Sequence, residues 1–279
     1  MTETSEPTGA QPEPASWAGA ADLADLEARL SGADGLVVGL DFDGTLAPIR
    51  ADPDAVSIQP AVRRAVATLA ARPDATVAVI SGRALEDLRS RVCVEGLVYV
   101  GNHGLEMDRS GRRSVHPEAE ALRPAVERAC DAVEARAGDV PGCLVERKGP
   151  TATVHYRRTP PDRVREVRAA VEAAAGSEPG LRLVRGKQSF EVRPAVDWDK
   201  GAAMRRVVED APGGWAAVYL GDDTTDEDVF AALEPDDVGV RIGDDADTAA
   251  GVTLPGQDAV APFLAWLDEA VLGEAPRRA

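Results

Sequence analysis

Short apolar runs alternate with amphipathic helical patterns in two separate stretches of this 279-residue chain. The first stretch has helical patterns at 21–30, 60–72 and 84–92 and apolar runs at 36–41, 75–80 and 96–101. The second has helical patterns at 200–211 and 226–233 and apolar runs at 215–220 and 238–243. Alternation of this kind is typical of βαβ units, so it predicts a parallel sheet with helices on both faces.

The pattern changes between these two stretches. Helices are predicted at 117–137 and 161–175, and they are interleaved with the paired runs "GCLVERKG" and "TATVHYRR" and the hairpin-like "LRLVRGKQSFEVRP". These features indicate a small α+β module with an antiparallel sheet. We therefore predict a disordered acidic tail at 1–20, a core domain at 21–108 and 198–272, an inserted domain at 109–197, and a tail at 273–279.

The net charge of −17 and the pI near 4.6 argue against a nucleic-acid partner, because such partners require a basic surface. Three cysteines without metal-ligand spacing fit a reducing compartment. No apolar run reaches the roughly 18 residues of a membrane span, and the first 20 residues lack the pattern of a secretory signal. These features predict a cytoplasmic protein that does not bind membranes.

Polar clusters directly follow the predicted strands of the larger unit. They are Asp41 and Asp43 after the first strand, Ser81 to Arg83 after the second, Asn102 and His103 after the third, and Asp222 and Asp223 after a later one. Because ligands of open parallel sheets bind outside the carboxyl ends of the strands, we expect these clusters to converge on one crevice. Ordinary turn chemistry is the alternative, and Thr224 with Glu227 also fits a helix capping box.

Carboxylates from two strand ends suit a hard cation, and Mg²⁺ characteristically takes one or two protein carboxylates together with substrate phosphate. Lys200 begins a predicted helix, where a cation is unfavourable unless an anion lies nearby. Ser81 offers a hydroxyl and backbone N–H groups to a phosphate. The alternatives are a surface salt bridge for Lys200 and a helix N-cap for Ser81.

Four motifs, "DFDGTL", "ISGR", "DKG" and "GDDTTDE", occur in this order and resemble those of the haloacid-dehalogenase (HAD) superfamily of Asp-nucleophile phosphatases. With "GNHGLE", "ERKG", "VHYR" and "GKQSFEVRP", they make residues 36 to 243 similar to the trehalose-6-phosphate phosphatase family. The resemblance implies an α/β fold with a Rossmann-like HAD core and an inserted α+β cap of the C2 type. It also implies Mg²⁺-dependent hydrolysis of trehalose 6-phosphate through an aspartyl-phosphate intermediate.

The same resemblance implies roles for individual residues. Asp41 would be the nucleophile, Asp43 the general acid and then base, and Ser81 and Lys200 the groups that hold the phosphoryl oxygens. The metal ligands would be Asp41, the backbone carbonyl of Asp43, Asp222 and Asp223, with Asp226 nearby. The substrate-binding residues would be Glu146, Lys148, Lys187 and Glu191 from the cap and Arg83, Asn102 and His103 from the core.

Two features of the sequence allow a different interpretation of the cap residues. Glu146 and Glu191 also fit the solvent-facing positions of alternating strands. The familiar cap motif is nearer "LEVKG", whereas here Arg147 follows Glu146 and Pro150 follows Gly149. Because proline restricts the residue before it, the geometry of this loop is an open question at this point.

Three alternatives to a trehalose 6-phosphate phosphatase remain. They are a phosphatase for another glycosyl phosphate, such as a sucrose or mannosylglycerate phosphate, a catalytically silent domain that binds a sugar phosphate, and a sugar phosphomutase. We expect a monomer with a small-molecule sugar phosphate as its ligand, and a trehalose-phosphate synthase is the candidate protein partner.

Overall fold

The computed structural model describes residues 20–50, 55–186, 188–243 and 247–273. Within those ranges, none of the helices combines the length with the apolar composition that a membrane-crossing segment requires. The α-helices are α1 (Ala20–Leu30), α2 (Pro60–Ala70), α3 (Leu85–Val92), α4 (Pro117–Ala137), α5 (Val164–Gly176), α6 (Lys200–Glu209), α7 (Glu227–Phe230) and α8 (Val260–Trp266).

The larger of two sheets has eight strands. In spatial order they are β12 (Val252–Leu254), β11 (Val238–Ile242), β10 (Ala216–Gly221), β1 (Leu36–Leu40), β2 (Ala75–Ile80), β3 (Val98–Gly101), β4 (Glu106–Arg109) and β5 (Arg112–Val115). The first six run parallel, and β4 and β5 add an antiparallel hairpin at one edge. The predicted fold class, a largely parallel α/β sheet with an inserted α+β module, is confirmed.

The register of the large sheet aligns the ends of its central strands. Leu40 at the end of β1 lies opposite Val79 of β2 and Leu220 of β10. Residues that follow these three strands therefore emerge side by side at the carboxyl edge of the sheet.

The large sheet is buried on both faces, which explains the nearly continuous apolar runs of its strands. On one face, Leu36, Val38 and Leu40 belong to a hydrophobic core that includes residues of α2, α3 and α8. On the other face, Val37 packs with Met204 of α6 and with residues of α7. The site at the carboxyl edge is thus supported by a three-layer core.

The second sheet is antiparallel and lies, in sequence, between β5 and α6. Its spatial order is β6 (Leu144–Arg147), β7 (Ala152–His155), β9 (Ser189–Pro194) and β8 (Leu181–Gly186). We call this sheet together with α4 and α5 the small module. One face of the sheet packs on α4 and α5 through Val154, Phe190 and Val192. Strand alternation places Glu146, His155, Glu191 and Arg193 on the opposite, polar face.

Some elements differ from the predicted ones. The hairpin formed by β4 and β5 was not predicted, nor were β12 and α8. Strand β5 lies in the predicted inserted domain, yet it pairs with β4 in the large sheet. A boundary based on sheet membership therefore falls after Val115 rather than after residue 108, and the division into domains remains a prediction.

Candidate active site

Lys200 bridges two carboxylates at the carboxyl edge of the large sheet. Its Nζ donates hydrogen bonds to Oδ1 of Asp41 at 2.7 Å and to Oδ1 of Asp226 at 2.8 Å. All three side chains are buried. The start of α6 is fixed by Asp199, whose carboxylate accepts a hydrogen bond from the Ala202 N–H at 2.7 Å. Lys200 is therefore not the surface salt bridge that the sequence left open.

Asp226 is anchored by four hydrogen bonds. In addition to Lys200, the Tyr219 hydroxyl donates to Oδ1 at 2.7 Å. The backbone N–H groups of Asp222 and Asp223 donate to Oδ2 at 3.0 and 2.9 Å. Because both oxygens already accept strong bonds, Asp226 orients the loop that carries Asp222.

Asp223 points away from this cluster. Its carboxylate is exposed and accepts the Thr224 N–H at 2.7 Å as the N-cap of a short 3₁₀ turn, Thr224–Asp226. The capping box consists of Asp223 and Asp226, so its prediction at Thr224 and Glu227 was wrong by one residue. The acid group whose oxygens lie within 4.8 Å of one another comprises Asp41, Asp222 and Asp226, not Asp223.

Asp222 is held close to the loop that follows β1. The Thr45 hydroxyl donates to Oδ1 of Asp222 at 3.3 Å. Gly44 adopts φ +97°, and a Cβ atom at this position would lie 1.9 Å from an Asp222 oxygen. The "DGT" sequence therefore provides both the left-handed backbone conformation and the space that Asp222 occupies.

The cluster concentrates negative charge in a poorly solvated place. Burial raises the pKa of Asp41 well above its usual value, Lys200 opposes this rise, and Asp226 and Asp222 add to it. Burial, Asp226 and Asp223 raise the pKa of Asp222 to about 6. The protein alone thus disfavours full ionisation of these acids, which a bound cation would reverse.

Asp43, two residues after Asp41, is paired with Arg83. The guanidinium donates to both Asp43 oxygens at 2.7 Å and to Oδ2 of Asp87 at 2.9 Å, and it lies over the Phe42 ring. Burial alone would lower the pKa of Arg83, but the hydrogen bonds that Arg83 donates to Asp43 raise it above its usual value. The side chain predicted to bind substrate is therefore engaged with two carboxylates here.

Ser81 is buried in the loop between β2 and α3. Its hydroxyl accepts the Arg83 N–H at 3.2 Å, and its carbonyl accepts the His103 N–H at 3.0 Å. The N-cap of α3 is Ala84, so Ser81 is not the helix cap that the sequence left open. Ser81 directly follows β2, which pairs with β1, so it lies beside the end of β1.

The polar face of the small module meets the large sheet at His103. Burial lowers the pKa of His103 to about 4, so the ring is neutral at pH 7 and its Nε2 accepts a hydrogen bond from Nη2 of Arg193 at 2.6 Å. Arg193 also donates hydrogen bonds to Glu191. Burial opposes ionisation of Glu191, but His103 and Arg193 together lower its pKa to about 2. The remaining ring nitrogen, Nδ1 of His103, is buried without a partner among the described residues.

Glu146 and Lys148 lie further along the same face. Glu146 pairs with Nε2 of His155 at 2.8 Å, and this bond lowers its pKa although burial opposes the change. The Lys148 ammonium lies 3.8 Å from Oε2 of Glu146 and 3.5 Å from the Gly82 carbonyl oxygen. These residues therefore border the loop that contains Ser81.

Asn102 is completely buried rather than lining an open surface. Its amide contacts Glu106, Thr151 and the backbone carbonyl of Lys148. Lys187 lies outside the described residues, so its predicted contact with substrate remains a prediction. The other predicted site residues lie at the carboxyl edge or on the facing sheet, whereas the Asp223 carboxylate lies outside the acid cluster at that edge.

Sequence reasoning missed the roles of Tyr219, His155 and Arg193. A buried tyrosine normally needs a hydrogen-bond partner, which was the available signal for Tyr219. His155 and Arg193 stand at alternate positions of predicted strands on the same face as the two glutamates. Their partners became identifiable only once the strand register was known.

The chain matches the trehalose-phosphatase family over residues 39–257. A trehalose-phosphate phosphatase from Mycobacterium marinum is 41% identical over 256 residues, which cover 87% of this chain and 65% of that protein. The chain thus spans less than two thirds of the length of this relative. A trehalose-6-phosphate phosphatase structure from Aspergillus fumigatus aligns with TM-score 0.62 and 28% identity, covering 89% of this chain and 98% of that one. A trehalose-6-phosphate phosphatase related protein aligns with TM-score 0.73 and 24% identity, covering 85% and 98%, which supports the fold.

Proposed function

Because the chain belongs to the trehalose-phosphatase family, we propose that it hydrolyses trehalose 6-phosphate to trehalose and phosphate. One observation carries the proposal. Asp41, Asp222 and Asp226 come from separate loops, their oxygens lie within 4.8 Å of one another, and Lys200 bridges two of them. Such a cluster offers a nucleophile, a cation site and a positive charge for a phosphate at one point.

Mg²⁺ fits this donor set. The carboxylates of the site supply oxygen donors, which Mg²⁺ prefers. Burial and the neighbouring carboxylates raise the pKa values of Asp41 and Asp222, and a bound cation would favour their ionised forms. Asp41 and Asp222 would hold the ion together with the backbone carbonyl of Asp43, whereas Asp226 would orient them. When bound, Mg²⁺ supplies charge neutralisation between the carboxylates and the incoming phosphate dianion.

Asp41 would attack the phosphorus and form an aspartyl-phosphate as the bond from phosphorus to the sugar oxygen breaks. Asp43 would give its proton to the departing sugar oxygen. It would then take a proton from the water that hydrolyses the aspartyl-phosphate and regenerates Asp41. Because Arg83 binds both oxygens of Asp43, at least one of these two hydrogen bonds must break before Asp43 can contact the substrate and transfer a proton.

The small module would act as a cap that recognises the sugar. Its polar face offers Glu146 and Glu191 as acceptors for hydroxyl groups and Lys148 as a donor. Nδ1 of His103, which has no partner among the described residues, would donate to a substrate oxygen. Ser81 and Lys200 would hold the phosphoryl oxygens, and Lys187 would reach the phosphate side.

The test is phosphate release from a panel of sugar phosphates at matched concentration, with Mg²⁺ and with excess chelator. We expect Mg²⁺-dependent release from trehalose 6-phosphate, and a substantially lower kcat/KM for glucose 6-phosphate because it lacks the second glucose. Faster release from a sucrose or mannosylglycerate phosphate would identify that compound as the substrate in place of trehalose 6-phosphate. Binding without release would indicate a silent domain, and an isomeric sugar phosphate without free phosphate would indicate a mutase.

Magnesium is expected to raise the Tm more at pH 7.5 than at pH 5. In the folded, metal-free protein the pKa of Asp222 is about 6, above its usual 3.8. This carboxyl therefore destabilises the metal-free fold as pH rises through 6, and the ion relieves that repulsion. Below pH 6 the metal must displace a proton, so its apparent affinity falls by about tenfold per pH unit.

The measurement is calorimetry over a Mg²⁺ series at both pH values, with NaCl at matched ionic strength as the control. Equal increases in Tm at pH 5 and pH 7.5 would contradict the assignment of Asp222 as a ligand.

We also propose a cytoplasmic monomer whose ligand is a small sugar phosphate. The three cysteines are free thiols, as expected in a reducing compartment. The net charge of −17 opposes binding to nucleic acids and anionic lipids. A trehalose-phosphate synthase partner remains a prediction.

A further inference from the structure

The tip of the hairpin between β6 and β7 is a tight turn that extends from Lys148 to Thr151. The Lys148 N–H donates to the Thr151 carbonyl at 2.9 Å, and Gly149 adopts φ +81°. Pro150 follows this glycine, which tolerates the conformation that the turn requires. The unusual "KGP" sequence therefore forms a defined turn that fixes the backbone of Lys148.

Asn102, which directly follows β3, binds this turn at two points. Its Nδ2 donates to the Lys148 carbonyl at 2.9 Å, and its Oδ1 accepts the Thr151 hydroxyl at 2.6 Å. Nδ2 also donates to Oε2 of Glu106 at 2.5 Å. Asn102 is 0% exposed and Thr151 is 5% exposed, so these bonds are shielded from water. Loss of one partner would leave a buried polar atom unsatisfied.

The position of the Lys148 ammonium depends on this contact. The ammonium lies 3.5 Å from the carbonyl oxygen of Gly82, which follows Ser81 in the loop between β2 and α3. Because a lysine side chain is flexible, its ammonium group stays near one position only if the backbone of the residue is fixed. Asn102 fixes that backbone directly, through the carbonyl of the same residue.

We propose that Asn102, acting with the Thr151 hydroxyl, is a positioning residue that places Lys148 at the substrate. The proposal rests on the phosphatase function and revises the expectation that Asn102 itself contacts substrate. Its effect passes entirely through Lys148. Loss of the contact between Asn102 and Thr151 therefore weakens substrate binding when Lys148 is present. In a protein that lacks the Lys148 ammonium, the same loss has no further effect on binding.

The test is a double-mutant cycle of Thr151→Val and Lys148→Met, followed by phosphate release from trehalose 6-phosphate. We expect Thr151→Val to lower kcat/KM by about tenfold, mainly through KM, and Thr151→Ser to restore it to within about threefold. In the Lys148→Met background, adding Thr151→Val should change kcat/KM by less than about twofold.

Thr159→Val is the matched control. Thr159 is also a buried threonine of the small module, but its hydroxyl has no partner within the part of the chain that the structure describes. Its substitution should leave kcat/KM unchanged. A folded Thr151→Val protein with wild-type kcat/KM, or one with the same loss in both backgrounds, would overturn the positioning role.

Phosphate release by the wild-type protein distinguishes a failure of this inference from a failure of the proposed function. Release from a different sugar phosphate would refute trehalose 6-phosphate as substrate, and the cycle would then be measured on the phosphate that is released. A wild type that releases phosphate from none of the panel would overturn both proposals.

Discussion

Substitution of Asp41 by Asn is expected to lower phosphate release by about 10⁴-fold or more while the fold is retained. Asn has almost the same shape and can still accept the hydrogen bond from Lys200, but its amide cannot form the aspartyl-phosphate. The substitution also removes one of three mutually repelling carboxyls, of which Asp41 and Asp226 are buried and Asp222 is half-buried. The metal-free variant should therefore melt at or above the wild-type Tm.

Phosphate release from trehalose 6-phosphate and thermal unfolding would be measured on the same samples. Asp131→Asn is the matched control, because it makes the same chemical change at an exposed site on α4. A well-folded Asp41→Asn enzyme that keeps more than about one hundredth of wild-type activity would show that another group is the nucleophile.

Substitution of Lys200 by Met should impair both stability and activity. It leaves Asp41 and Asp226 buried without the cation that bridges them, and the loss of one member of a buried ion pair costs about 3–5 kcal/mol. For a domain of this size, that loss corresponds to a fall in Tm of about 10 °C. Activity should fall by about 10³-fold or more, because the same ammonium would hold a phosphoryl oxygen.

Arg205→Met is the matched control, because it tests whether the effects of Lys200→Met depend on the position of Lys200 or only on the loss of a positive charge. Arg205 is an exposed residue on the same helix, and its substitution should change neither quantity appreciably. Calorimetry without Mg²⁺ and phosphate release with Mg²⁺ separate the two effects. A Lys200→Met protein with wild-type Tm would contradict the structural contribution of the bridge, whatever its activity.

The parallel sheet and the convergence at its edge could be predicted because both depend on local patterns. Strand β4 and strand β5 were missed because "EMDR" and "RRSV" are charged segments that become strands by pairing at the edge of an existing sheet. Strand β12 has three residues, too few to show a period.

Within the site, local patterns identified the acidic motif but not the orientation of each acid. Asp222, Asp223 and Asp226 all lie in one short segment, and the phase of the 3₁₀ turn decides which of them face inward. The contacts of Asn102 could not be predicted either, because its partners Lys148 and Thr151 lie 46 and 49 residues away in sequence. Only the packing of the two sheets reveals that contact.

The two faces of the small sheet are built from different residues of the same strands. Val154, Phe190 and Val192 belong to the face that is packed against helices, whereas Glu146, His155 and Glu191 alternate with them on the polar face. Substitutions on the polar face therefore leave the interior of the module intact. On the proposed function, evolution and protein engineering could therefore alter which sugar is accepted without rebuilding the scaffold that presents these side chains.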